Sequence, residues 1–90
     1  MVQAIVTPEE LRRFSSILRN FNNDLDQRTG ALKGHFEKLG DTWRDREYDK
    51  FKQQFDETVR VFNKFIETSE EYAKFLVRKA EAADEYLNRK

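Results

Sequence analysis

Large apolar residues recur along the first half of the chain in alternating steps of three and four. Positions 11, 14, 18, 21, 25, 28, 32, 35 and 39 read Leu11, Phe14, Leu18, Phe21, Leu25, Arg28, Leu32, His35 and Leu39. This is the a/d seam of a helix that packs lengthwise against another helix. Thr7-Pro8-Glu9-Glu10 opens it: threonine is a capping residue, proline suits the first helical position, and Glu10 completes a capping box at the positive helix end. Leu39-Gly40 supplies a stop. The first helix is therefore expected over about 8–39, with a turn at about 40–42.

A second helix is expected over about 43–88. It starts at Asp41 or Thr42, with Thr42 and Asp45 spaced as a second capping box. Its central row is Phe55, Phe62, Ser69, Leu76 and Ala83. An aromatic flank carries Phe51, Phe65, Tyr72 and Tyr86, interrupted by Thr58 and Lys79. An aliphatic flank carries Val59, Ile66, Ala73, Ala80 and Leu87. One partner helix needs only a narrow stripe, so this wide one predicts that the second helix touches more than the first.

At 1.5 Å per residue the helices measure roughly 48 and 70 Å. Folded back antiparallel, the first covers the second only to about residue 74. The overhang still holds Phe75, Leu76, Val77, Ala80, Ala83, Tyr86 and Leu87. Exposed apolar surface of that extent calls for a partner. The expected architecture is all-α: residues 1–90 form one helical-hairpin domain that dimerises into an elongated four-helix bundle. Residues 1–6 and 88–90 are expected to be mobile, with Val2, Ile5 and Val6 able to tuck against the overhang.

Composition narrows the function. The 17 basic and 17 acidic residues are interleaved, so the basic patch of a nucleic-acid binder is missing. The chain has no cysteine and one histidine, which leaves no disulfide, thiolate metal site or recognisable ligand set. The opening MVQAIVTPEE lacks a charged start and a long apolar run, so no cleaved signal peptide is expected, and no segment reads as transmembrane. No phosphate-binding glycine loop or hydrolase motif is spelled, so no enzyme and no cofactor are expected. The acidic pairs Glu9-Glu10, Glu70-Glu71 and Asp84-Glu85 read as solvated helix faces.

Individual residues leave choices open. His35 reads as a packed or interface histidine, with some pH sensitivity if half-buried. Arg28 either reaches an acid on the second helix or fixes register, as polar seam residues do. Gly30 and Gly34 mark either a flat strip for a second protomer or local weakness. Trp43, the only tryptophan, is either a lid over Leu39 and the hairpin end or an exposed binding anchor.

TPEEL at the first helix start, the heptad leucines, and LGDTWRDREYDKFKQQF at the centre together resemble the W-x-G family of small type VII (early-secreted-antigen) secretion substrates. The likeness spans nearly the whole chain. The family's glycine, two residues after tryptophan, is Asp45 here. Its C-terminal export tag, a tyrosine with an acid four residues on, corresponds to Tyr86 with Lys90 in the acid's place. The resemblance implies a bacterial protein, a hairpin that pairs with itself or a related hairpin, and export without a cleaved signal peptide by an ATPase-driven machine. The turn motif would be Trp43 and Asp45. The partner interface is expected at Phe55, Phe62, Phe65, Ile66, Tyr72, Leu76, Tyr86 and Leu87. The alternative is a cytoplasmic helical adaptor or chaperone that holds a partner helix on the overhang.

Overall fold

The structure, a computed structural model, describes residues 6–88. Among them there are two helices and no strand: α1 (Pro8–Leu39) and α2 (Arg46–Asn88), folded back antiparallel into a rod of 69 × 25 × 15 Å. Val2 and Ile5 lie outside the described residues, as do Arg89 and Lys90.

Helix α1 begins on Pro8, whose missing amide proton costs nothing at a first helical position. Thr7 occupies the cap with an extended backbone, but its side chain makes no capping hydrogen bond, contrary to the expected capping box. The far end also differs from expectation. Gly40 is right-handed (φ −64°, ψ −17°), and no described residue has a positive φ. What glycine provides there is room: a Cβ on Gly40 would meet the Tyr48 hydroxyl at 2.5 Å, so the tyrosine would have to shift. The last carbonyls of α1 are satisfied by a tightened turn. Gly40 and Asp41 donate amides to Glu37 and Lys38, and both Thr42 and Trp43 donate to Leu39. The Thr42 hydroxyl also donates to the Leu39 carbonyl.

That use of Thr42 explains why α2 starts at Arg46, three residues later than expected. Asp45 is the residue that caps it. Its Oδ1 accepts the amides of Glu47 (3.0 Å) and Tyr48 (3.1 Å), the pattern of an N-cap carboxylate at the positive end of a helix.

The contact between the helices is not the one the leucine-phenylalanine spacing predicts. The buried row of α1 is Pro8, Ser15, Asn22, Thr29 and Phe36, one position beyond Phe14, Phe21, Arg28 and His35. Opposite it, α2 buries Ser69, Ala73 and Ala80. Small side chains let the backbones approach until Ser15 Oγ donates directly to the Ala73 carbonyl at 3.0 Å. Ser69 Oγ donates to Asn22 Oδ1, and Asn22 Nδ2 donates to Glu70 Oε2, both at 2.9 Å. No buried side-chain nitrogen or oxygen among the described residues lacks a partner. The largest fully buried side chain is therefore an asparagine, and the buried apolar residues are Phe36, Ala73 and Ala80.

The overhang is shorter than the length argument gives. Ala80 is fully buried, Leu76, Val77 and Ala83 are half-buried, and Arg12 near the start of α1 pairs with Asp84. Two things extend the cover: the later start of α2 moves its register, and extended Thr7 carries half-buried Val6 beyond the helix proper. Of the large apolar side chains expected on the overhang, Phe75, Tyr86 and Leu87 are exposed, the last two in the final turn.

Candidate interaction surface

On α1, the face against α2 is centred on the Ser15–Asn22–Thr29 row. The Leu11, Leu18 and Leu25 row beside it is half covered. Phe14, Ile17, Phe21 and Leu32, further round on that same side, are 51–53 % exposed. On α2 the matching displacement leaves the aromatic flank outside: Phe65 is 44 % exposed, Tyr72 60 % and Tyr86 76 %. Phe21 and Phe65 touch edge to face, with ring centroids 5.9 Å apart. The exposed flanks of the two helices thus lie on one side of the hairpin and form a continuous apolar face. A groove of about 290 Å³ runs along that face near the turn, lined by Thr29, Leu32, Phe51, Phe55, Thr58 and Phe62 among others. Further along α2, a more open hollow of about 460 Å³ surrounds Tyr72 and Phe75.

The interface residues named from sequence divide into two groups. Phe55, Phe62, Ile66 and Leu76 are half-buried beside the hairpin's own contact row. Phe65, Tyr72, Tyr86 and Leu87 stay exposed on α2. The partner set drawn from sequence omits Phe14, Ile17, Phe21, Leu32, Phe51, Val61 and Phe75, all exposed here. Phe14, Phe21 and Leu32 look like hairpin core by spacing. The signal against that reading is the seven-residue recurrence Ser15, Asn22, Thr29, matched by the small residues Ser69, Ala73 and Ala80.

Arg28 and His35 sit on the exposed row and not in a closed seam. Among the described residues Arg28 makes no hydrogen bond or ion pair, so the expected pairing with α2 is not formed. The interhelical charge pair is Arg12 with Asp84, and that hydrogen bond holds the guanidinium above its ordinary pKa. Nothing approaches Gly30 or Gly34 within 4 Å of where a Cβ would stand, so the hairpin itself does not require either glycine.

The turn end is closed by aromatic rings. Phe36, 8 % exposed, stacks on Phe55 (4.6 Å) and Tyr48 (5.1 Å) and meets Phe51 edge-on (5.3 Å). Trp43 joins this cluster through Tyr48 (5.4 Å) and Phe51 (6.3 Å) and remains half-buried. It packs on the first turns of α2 through these two rings.

Among the described residues no cluster of histidine, aspartate or glutamate could hold a metal ion, and no helix is long and apolar enough to cross a membrane.

The sequence profile of the proteins of 100 residues with WXG matches residues 3–85. The chain belongs to the WXG100 family. That is the family of small type VII secretion substrates which the tryptophan motif and the leucine heptads resemble. Solved structures of the secreted protein EsxB from Bacillus anthracis str. Sterne share the fold. A proline-to-alanine variant superposes with a TM-score of 0.85 at 23 % identity, over 96 % of this chain and all of that one. The selenomethionine-labelled form gives 0.79 at 24 %, over 98 % of this chain and all of that one. A glutamate-to-glutamine variant gives 0.76 at 24 %, over all of this chain and 99 % of that one. No curated protein sequence is close enough to count as a match. The WXG100 hairpin is thus shared along its whole length with a protein of low identity.

Proposed function

We propose that this WXG100 protein is a non-enzymatic binding module that is exported through a type VII machine, and that it works as a dimer of hairpins closed over the apolar side. The exposed side carries the reading. Twelve large apolar residues among those described are 44–76 % exposed, while Phe36 is the one large apolar side chain the hairpin buries. Covering each exposed residue contributes roughly 1 kcal/mol, about half the value of a full large side chain. A hairpin whose fully buried row is mostly serine, asparagine, threonine and alanine draws its apolar burial from the Phe36 ring cluster and from side chains only half covered, so it gains from further cover. A second hairpin laid on that side completes a four-helix bundle.

Family membership supports export, and EsxB is itself described as a secreted protein. Tyr86, the tyrosine at the tag position, is 76 % exposed in the last turn of α2, where a receptor can reach it. Lys90 in place of the tag acid favours the rival reading, an adaptor that stays in the cytoplasm. Culture supernatants from cells with and without the secretion ATPase separate the two. The exported module appears outside only when the ATPase is present. The adaptor is absent from both supernatants and normal in amount inside the cell.

A further inference from the structure

Helix α2 ends on charges that oppose it. Its last two turns carry Glu81, Asp84 and Glu85, and among the described residues its final turn holds no basic side chain. Carboxylates at the C-terminal end of a helix face the negative pole of its dipole and carbonyls that lack an amide partner. Cover runs out at the same place. Ala80 is fully buried, Ala83 and Asp84 are half-buried, and Glu85, Tyr86, Leu87 and Asn88 are exposed. A helix end with this charge and so little packing frays.

The charge that offsets this comes from the other helix. Arg12 of α1 donates to the Asp84 carboxylate. Glu81 on α2 and Glu9 on α1 add their attraction for the same guanidinium. The tie falls two residues before Tyr86, at the last level where α2 is covered. It also falls in the right turn. Helical amides at 85–88 bond to the carbonyls of 81–84, so fixing Asp84 fixes the acceptors for the turn that carries Tyr86. An exposed ion pair adds little to the stability of a whole hairpin. For a single terminal turn near its balance point, the same small effect changes the helical population several-fold.

We infer that Arg12 is a positioning residue for the C-terminal tyrosine: by clasping Asp84 it keeps the last turn of α2 helical and presents Tyr86 from a fixed point on the rod. A partner that reads Tyr86 then meets an ordered end built by both helices. This rests on the reading of Tyr86 as the export signal, and the experiment separates the two. Hydrogen exchange is followed on the purified full chain, and secretion in culture supernatants of cells that have the ATPase. Arg12→Asp raises the exchange rate of amides 85–88 by about fivefold and leaves those of 60–75 unchanged. Its secreted fraction falls several-fold, while its mass by light scattering matches the wild type. Adding Asp84→Arg rebuilds the pair with its charges exchanged and returns exchange and secretion to within about twofold of wild type. Made alone, Asp84→Arg sets two cations together and does not slow exchange. Equal slowing in both backgrounds would mean that residue 84 acts on the helix dipole by itself, and overturns the clasp. Normal secretion of Arg12→Asp, beside a Tyr86→Ala variant that stays inside the cell, also overturns it. Normal secretion of Tyr86→Ala overturns instead the reading of that tyrosine as the signal.

Discussion

Two residues after the tryptophan, where the family's motif has glycine, an aspartate carboxylate accepts the amides of Glu47 and Tyr48. Aspartate and glycine are both good N-cap residues, one through its side chain and the other through backbone freedom, and alanine is neither. The motif position is thus a helix cap in this chain, and the change of residue leaves its physical role intact. Asp45→Ala should lower stability by about 1 kcal/mol in urea unfolding, and Asp45→Gly by only a few tenths. Equal losses for both would mean that the carboxylate acts in some other way. Asn22 carries more, because its amide is fully buried and bonds both Ser69 and Glu70. Asn22→Ala removes a donor and an acceptor from a closed contact and should cost about 1–3 kcal/mol by the same measurement.

At the scale of the helices, alternating steps of three and four marked the first, and rows spaced by seven marked the second, whose start lies three residues later than expected. Pro8 and the Leu39-Gly40 stop bound the first one. What the spacing could not give was the rotation of α1 about its own axis. Ser15, Asn22 and Thr29 are polar and look like a solvated face, whereas Phe14 and Phe21 look like core. The hairpin reverses this because short side chains permit a close approach, and a hydroxyl or amide then finds a partner across the contact. A turn was legible at 40–42, but it continues through Trp43 to Asp45, which the spacing placed in the second helix. The aromatic cluster around Phe36 was not legible, since it joins four further rings from 43 to 55 that only the fold brings together. Ala73 tests the close-approach account. It is completely buried beneath Ser15, so Ala73→Leu should push the helices apart and cost about 1–3 kcal/mol despite the gain in apolar surface. A stabilised variant would show that the contact has room to spare.

For the whole molecule, the hairpin is a rod 15 Å thick with one apolar side open, which is what the proposed second hairpin would cover. Overhang alone does not make the case for a partner, since α1 and the residues just before it cover α2 as far as Asp84. The exposed flank along the full length does. Homodimeric export makes one further demand: every copy carries the same C-terminal tyrosine, so Tyr86→Ala should abolish secretion while leaving the dimer formed. Continued secretion of that variant would mean that a different hairpin supplies the signal. The mass of the purified chain in solution tests the central claim most directly. Light scattering at micromolar concentration should give twice the 10.8 kDa of one chain. A fully helical species of single-chain mass would contradict the account.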